Sequence, residues 1–470
     1  MTKIKPAILV RDIRFWIVLF FFVRLIGISN PPLEAAHNWR QSLTNMIARN
    51  FLEVDDNILY PRIDMDGDNS GIIGAEFPIY NYLIYITFKG FGFSHWAGRL
   101  INLLVSSFGL YYFFLVVRRH FDGRIAFNAT LVLLFSIWFI FSRKIMPDTF
   151  SASFAIAALY YLSVYLDRKR LFELLLFFAL MSLAALSKIP ALVFLSLVVL
   201  PLLSKKYDVK IKASIAAASL LSFLLVCLWY FYWVPSLLER FRFQLYFPKG
   251  FSEGISEIMP LMPEFFEKFY YSALLSYVAF ASFLAGLYLL FISRNKWLIG
   301  GFALFTITFL AFIIKTGAVF PMHSYYIIPF VPAMALAAAL FLSKLPVRYG
   351  SLVLIAIGIE SLANQQHDFF IRPTDKYKTG LESIADKVCG KGDLIVVNGG
   401  LNPQAIYFIH RKGWTVNNEV IHQPKQIDAY IDKGAKYLFV LRKYDEDMPA
   451  GYRMVYSDDN VNVFALTKEK

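Results

Sequence analysis

Residues 31–51, PPLEAAHNWRQSLTNMIARNF, and residues 74–92, GAEFPIYNYLIYITFKGFG, frame the one polar-rich interval in the first 200 residues of the chain. The interval carries Glu34, His37, Arg40, Arg49, Asp64, Asp66 and Glu76 among aromatic residues. Apolar runs flank it on both sides. A long loop with convergent ionisable groups is more often functional than a spacer. The class of the fold follows from what surrounds this loop.

The chain has 470 residues, of which 57% are hydrophobic and 17% charged, and its mean hydropathy is +0.52. A soluble domain carries charge on about a quarter of its residues. Apolar runs of about 17–22 residues recur between Trp16 and Leu362, each long enough to cross a bilayer core. The expected class is an α-helical polytopic membrane protein. The net charge of +13 then reads as basic loops gathered on one side of the membrane, not as a nucleic-acid surface. Two cysteines, Cys227 and Cys389, give neither a disulfide framework nor a metal–thiolate site. The first apolar run has no small-residue cleavage site after it and reads as a retained helix.

Basic residues set the expected sides. Lys3, Lys5, Arg11 and Arg14 place the N-terminus in the cytoplasm, so the first loop lies outside. Eleven spans are expected, at about Phe15–Ile28, Leu100–Val117, Ile125–Phe141, Phe150–Leu166, Leu171–Leu186, Ile189–Leu203, Ala213–Trp233, Tyr271–Ile292, Trp297–Ile314, Tyr325–Leu342 and Tyr349–Leu362. Residues 77–93 are apolar, but Pro78, Asn81 and Lys89 interrupt them, and an interfacial helix is expected there. A second outer loop, 234–270, reads as amphipathic, with Glu239, Arg240, Arg242, Tyr246 and Lys249. After about Asp368 the composition becomes that of a small extracytoplasmic α/β domain. Its expected elements are a strand at DLIVVN, a helix after Asn402-Pro403, a helix over Lys425–Lys433, a strand at YLFVL and a final hairpin. The domain division is thus 1–367, including outer loops 29–97 and 234–270, and 368–470.

Charges in or beside spans are costly and mark function by default. The topology puts Glu34, His37, Arg40, Glu76, Arg143, Asp148, Lys188 and His323 at one outer level. Such cations suit a phosphate, and such acids suit proton abstraction from a hydroxyl. Structural roles compete with each assignment. Glu34 also suits a helix N-terminus, Asp148 an N-cap beside Pro147, Glu76 a pair with Arg40, and Lys188 snorkelling at a hinge. His323 opens the run HSYYIIPFVP with Tyr325 and Tyr326, residues equally at home in an interfacial belt. DMDGDNSG lacks the closing glutamate of a calcium loop, and NGGLNPQ lacks the spacing of a nucleotide fingerprint; both read as turns.

The ordered set of HNWRQSLTNMIARNF, EFPIYNYLIYITFKGFG, SRKIMPD, LSKIPAL and HSYYIIPFVP resembles the bacterial dolichyl-phosphate-mannose protein mannosyltransferase-like group of GT-C fold, which includes the lipid A aminoarabinose transferases. The resemblance covers about Phe15 to Leu342. It implies a polyprenyl-phosphate sugar donor and inverting transfer to an acceptor hydroxyl outside the cytoplasmic membrane. It also implies Glu34 as the first-loop acid and Asp148 as the acid of the second outer loop. Glu76 stands where the aminoarabinose transferases have a basic residue, and Leu43 where the family's usual acid stands. Catalytic candidates are Glu34, Asp148 and Glu76. Phosphate or substrate candidates are His37, Arg40, Arg143, Lys188, His323, Tyr325 and Tyr326. No cofactor is required by these residues, although a divalent metal is compatible with them. The acceptor classes are lipid A, another glycan or protein. A lipid-linked sugar transporter would place its charges near the bilayer midplane, and a non-catalytic assembly subunit would not need Glu34 or Asp148.

Overall fold

A computed structural model describes residues 10–243, 248–445, 449 and 451–467. Lys3, Lys5 and Tyr246 lie outside the described residues. The chain forms two compact units: a helical unit of Met1–Ile28, Arg99–Tyr232 and Tyr246–His367, and an α/β unit of Ser29–Gly98, Trp233–Leu245 and Asp368–Lys470. One division between the units falls at residues 367 and 368. The first loop and residues 233–245, however, group with the C-terminal region and not with the spans.

Within the described residues, six helices are long and apolar enough to cross a membrane: Trp96–His120, Pro147–Arg168, Val209–Phe241, Lys296–Thr316, Ser324–Leu342 and Val347–Phe369. A pair bent by 92°, Phe251–Ser272 with Tyr277–Ile292, would make seven. The other expected spans fall on shorter helices, at Ile13–Arg24, Gly123–Phe135, Leu171–Ser187 and Ile189–Leu203. Each expected segment thus contains helix, but six or seven helices, not eleven, meet the length of a full crossing among the described residues.

Side chains set where these helices start. Asp12, Asp122, Asp208 and Asn295 each accept a backbone N–H from the first turn of the helix that follows. Helix Tyr277–Ile292 is capped from outside as well as by its own Ser276. The Glu360 carboxylate, from helix Val347–Gln365, accepts the Ser276 hydroxyl at 2.5 Å and the N–H groups of Tyr277 and Val278 at 3.0 and 3.2 Å. Without a hydrophobic difference between lipid and side chain, helices in a bilayer associate by close packing of small residues. Gly286 serves this purpose: a Cβ there would lie 1.7 Å from the carbonyl oxygen of Ala337.

The α/β unit is built on a five-stranded sheet in the order β2-β1-β3-β5-β4, with β1 Leu394–Val397, β2 Gly413–Thr415, β3 Ala435–Leu441, β4 Arg453–Ser457 and β5 Val461–Ala465. Strands β1–β2 and β1–β3 are parallel, whereas β3–β5 and β5–β4 are antiparallel. The expected strands, hairpin and two helices are present, the helices at Gln404–Ile409 and Pro424–Asp432, and the short β2 is additional. The Asn402 side chain takes the Gln404 N–H at 3.0 Å, as its position before the helix suggests. Alternation along the strands turns Ile395 and Val397 to one face and Val396 to the other. The second face packs on Ile421 and Ile427. The first packs on Leu43, Met46, Ile47 and Phe51 of the first-loop helix Asn38–Glu53. That helix is buried almost all round from Gln41 to Phe51, so the loop and the sheet share one core.

Polar contacts lock this core. Arg49 donates to Asp64 at 2.8 Å and to the Tyr407 carbonyl at 3.1 Å, and its guanidinium lies 4.7 Å from the Tyr407 ring centroid. Asp66 accepts the Gly71 N–H and the Asn69 amide, the turn chemistry expected of this segment. Burial pushes the Tyr407 hydroxyl up to about 12. His410 joins Glu382 at 2.6 Å and Glu53 at 2.9 Å. Burial alone would raise both acids. The bond to His410 together with the charges of His410 and Arg49 outweighs it at Glu53, and the bonds to and charges of Lys391 and His410 do so at Glu382, so both carboxyls sit below their ordinary value.

Two outcomes follow. Gly286→Val should lower the thermal unfolding temperature in detergent, at a cost of about 1–3 kcal/mol or more from overpacking; an unchanged transition would refute the close approach. The depressed carboxyls of Glu53 and Glu382 contribute stability that is complete above their ordinary value of 4.5 and lost as pH falls through their lower folded values. His410→Gln should therefore flatten the acid limb of a pH series of unfolding temperatures.

Candidate active site

The helical unit turns sharply between helices Gly123–Phe135 and Pro147–Arg168. A single helical turn, Trp138–Phe141, is followed by the segment 142–146. Backbone carbonyls freed by such a break must find donors in an apolar surrounding. Asn102 supplies them: its amide nitrogen faces the carbonyl oxygens of Phe141, Lys144 and Met146 at 2.9, 2.9 and 3.1 Å. Its oxygen accepts the hydroxyls of Ser106 and Thr149 at 2.9 and 3.0 Å.

Two arginines tie the same segment to the first helix. Arg24 donates to Ser142 at 2.6 Å, to Ser107 at 3.2 Å and to the Phe20 carbonyl at 2.9 Å. Arg143 donates to the carbonyls of Arg24 and Ile26 at 3.1 and 2.6 Å, closing the C-terminal end of helix Ile13–Arg24. Arg99 reaches the Arg143 carbonyl at 3.3 Å. Arg143, expected to hold phosphate, thus engages donors in capping a helix.

This frame sets Asp148 in the first turn of helix Pro147–Arg168, just after the proline at its first position. Lys188 stands in extended backbone where helix Leu171–Ser187 ends, as the Ser-Lys-Ile-Pro hinge suggests. Ser151 binds the carbonyls of Ala184 and Lys188 at 2.8 and 3.4 Å, which fastens hinge to helix. The Lys188 ammonium lies 3.9 Å from Asp148, an ion pair and not a hydrogen bond. It also lies 5.5 and 5.6 Å from the ring centroids of Tyr325 and Tyr326. Asp148, Lys188 and Tyr325, with Ser151, Pro190, Ala191 and Pro329, line a slot of about 10 Å³, roughly the room of one water. His323 packs 5.5 Å from the Tyr325 ring and its Nδ1 lies 3.0 Å from the Val319 carbonyl. The slot therefore joins an acid, a cation and one phenol from three segments, with Tyr326 beside the ammonium, and the sequence had named all four.

The α/β unit holds the remaining candidates. Glu34 is fully buried (0% exposed), bridges Ile371 through its backbone and accepts the Asn30 amide at 2.9 Å. His37 opens helix Asn38–Glu53 with a left-handed backbone, φ 54°. Arg40, one turn on, forms an ion pair with Glu76, the pairing foreseen as the structural alternative. Among the described residues no group of three or more His, Cys, Asp or Glu could hold a metal ion. Sequence reasoning missed Asn102, Arg24 and Glu360. A lone asparagine in LINLLVSSF, an arginine in FFFVRLIG and an acid in AIGIESLAN were the available signals.

Residues 75–233 match the model of the dolichyl-phosphate-mannose-protein mannosyltransferase family. ArnT from Cupriavidus metallidurans, solved bound to undecaprenyl phosphate, superposes with a TM-score of 0.65 at 15% identity, covering 96% of this chain and 98% of that one. The oligosaccharyltransferase AglB from Archaeoglobus fulgidus, solved with an inhibitory peptide and a dolichol-phosphate, gives 0.59 at 11% identity, covering 91% and 69%. Over residues 75–233 the chain is PMT-like, and its fold is the GT-C fold of ArnT. No curated protein matches the sequence. The PMT-like match covers the Asp148–Lys188 pair, Glu76 and Arg143, whereas Glu34 and Arg40 precede it and His323 follows it. With its apolar helices, the PMT-like chain is a multi-pass membrane protein.

Asn102→Ala should cost about 2–4 kcal/mol, because it leaves several buried carbonyls without their donor. Thermal unfolding in detergent checks this against Tyr112→Phe, which removes one hydroxyl from the Tyr112–Tyr161 pair elsewhere in the same unit. Equal shifts in the two variants would count against the framing role of Asn102.

Proposed function

We propose that this chain is a membrane glycosyltransferase that moves a sugar from a polyprenyl-phosphate carrier to an acceptor hydroxyl, with inversion at the anomeric carbon. The observation that carries the reading is the paired Asp148 and Lys188 beneath two tyrosines, side chains 5% and 10% exposed, within an apolar helical unit. A charge pair in such surroundings is expensive and is retained where it acts. The family match and the ArnT and AglB folds support a lipid-phosphate donor.

In this reading Lys188 holds the donor phosphate, with His323 as a further contact and Tyr325 and Tyr326 against the ammonium, while His37 and Arg40 are the substrate-binding candidates of the α/β unit. Asp148 positions Lys188. Glu34 takes the proton of the acceptor hydroxyl. The acceptor oxygen bonds to the anomeric carbon from the face opposite the phosphate, the carbon–phosphate oxygen bond breaks, and polyprenyl phosphate leaves with its charge met by fixed cations. Glu76 neutralises Arg40 and is the reserve candidate for base. Neither a nucleotide nor a metal enters these steps. The basic loops support an N-terminus in the cytoplasm and an α/β unit outside the inner membrane. The acceptor is a lipid, glycan or protein hydroxyl.

The test is transfer from a radiolabelled polyprenyl-phosphate sugar pool by purified, equally folded parent, Glu34→Gln, Asp148→Asn and Lys188→Met proteins. Loss of the base should cost about 10²–10⁴-fold in rate, and loss of the phosphate cation about 10²–10³-fold. Full rate in both acid variants of an active parent would displace Glu34 and Asp148 in favour of Glu76. A parent that binds the donor yet never transfers would overturn the enzyme reading.

A further inference from the structure

In the α/β unit the parallel strands lie in the order β2-β1-β3, so the strand order reverses at β1. The link from β1 to β2 packs on the face of Ile395 and Val397, and the link from β2 to β3 packs on the face of Val396. Sheets of this kind take ligands in the crevice outside the carboxyl ends of the strands, where the order reverses. Here that point lies between the ends of β1 and β3. Asn398, just past β1, ties the two ends together. Its amide donates to the Leu441 carbonyl at 3.2 Å, and its oxygen accepts the Leu441 N–H at 2.6 Å.

The short helix Pro373–Gly380 brings charge to the same place. Lys378, and Lys443 just past β3, donate to one oxygen of Asp375, each at 3.0 Å. Lys378 is buried and also donates to the Gln404 side-chain oxygen at 2.9 Å. Burial alone would raise the Asp375 carboxyl; the bonds to Lys443 and Lys378, with their charges, outweigh it and hold the group below its ordinary value. Two ammonium groups thus share one carboxylate, which leaves positive charge in excess. An ammonium has three donors, and the bonds of Lys378 to Asp375 and Gln404 leave one for a ligand. The Tyr377 hydroxyl is buried and has no hydrogen-bond partner among the described residues. Burial, and then the neighbouring Tyr444 and Asp375, push it up, so it lies within reach of the cluster. A buried hydroxyl left unpaired is costly unless a ligand meets it.

We propose that this crevice binds a small oxyanion, a phosphate or carboxylate group, with Lys378, Lys443 and Tyr377 as donors, and that Gln404 passes its occupancy to the first loop. The Gln404 oxygen accepts Lys378, and its amide donates to the Pro32 carbonyl at 3.2 Å, two residues before Glu34. An anion that takes the remaining donor of Lys378 fixes that ammonium, then Gln404, then Pro32. The value of this link for catalysis rests on the reading of Glu34 as the base; the anion site does not. A soluble sugar acid or phosphate and a lipid headgroup present the same chemistry to these donors.

The experiment titrates the full-length protein in detergent with glucose 1-phosphate, glucuronate and dioleoyl phosphatidate, with sodium chloride at equal ionic strength as the control. Hydrogen exchange of residues 29–37 is followed in parallel. The parent should bind at least one probe, and the tighter of the soluble and lipid-borne phosphates names the source. Lys443→Gln and Tyr377→Phe should each weaken that binding about tenfold. Tyr377→Phe removes a hydroxyl that pairs with nothing in the free protein, so its unfolding temperature without ligand should not fall, whereas loss of a merely structural group would lower it. The bound probe should slow exchange across residues 29–37 in the parent, an effect lost in Gln404→Met, with cooperative unfolding confirming that each variant is folded. Binding no tighter than that of chloride, or undiminished in both Lys443→Gln and Tyr377→Phe, would overturn the site. Binding that leaves exchange of residues 29–37 unchanged would overturn the link through Gln404. Neither readout uses sugar transfer, so the site fails or stands separately from the enzyme reading.

Discussion

A helix that breaks inside an apolar medium exposes carbonyls that water cannot reach, and this chain breaks one where its functional loop begins. The segment between Phe135 and Pro147 is held by one amide, that of Asn102, and by the guanidinium groups of Arg24 and Arg143. Each of these groups donates to backbone or hydroxyl oxygens. Their placement lets Pro147 start a new helix with Asp148 in its first turn. The geometry of the Asp148–Lys188 pair depends on this satisfaction of backbone groups more than on any direct attraction between the two side chains, which remain 3.9 Å apart.

The same constraint sorts the charges of the helical unit. Glu360 lies inside a span, where a carboxylate reads as functional, yet it accepts three donors at the start of a neighbouring helix. Arg143 closes the end of another helix. Lys188 differs. Its ammonium lies near a carboxylate and two aromatic faces, an arrangement that favours a cation. That difference, and not the mere presence of charge at a membrane surface, distinguishes the residue assigned to the phosphate.

Much of this organisation was legible in the sequence. Long apolar runs and one-sided basic loops gave the class, the hinge before Pro190 and the helix start at Pro147. The strands and helices of the C-terminal region followed from turn residues and alternation. What stayed hidden was tertiary. Asn102, Arg24 and Glu360 sit in runs whose hydropathy dominates any window, so their polar role emerges only when the broken backbone beside them is visible. The spans were given even lengths because the periodicity of an apolar run does not mark where a helix bends. The bend of 92° before Tyr277 falls at a break of four residues, 273–276, that ends on the cap at Ser276 and that no hydropathy average resolves.

The grouping of the first loop with the C-terminal sheet was equally invisible, for a different reason. Leu43, Met46, Ile47 and Phe51 lie in a polar-rich loop, and nothing local shows that their apolar side chains pack with Val397 and Val463 of the sheet. The consequence concerns Glu34. Its backbone pairs with Ile371, its side chain is held by Asn30, and the Pro32 carbonyl two residues earlier accepts the Gln404 amide at 3.2 Å. An acid assigned to proton transfer is therefore positioned by a segment more than 300 residues further along the chain. The C-terminal region cannot then be a detachable cap: it supplies the wall against which the first loop folds, and through that wall it sets where Glu34 stands.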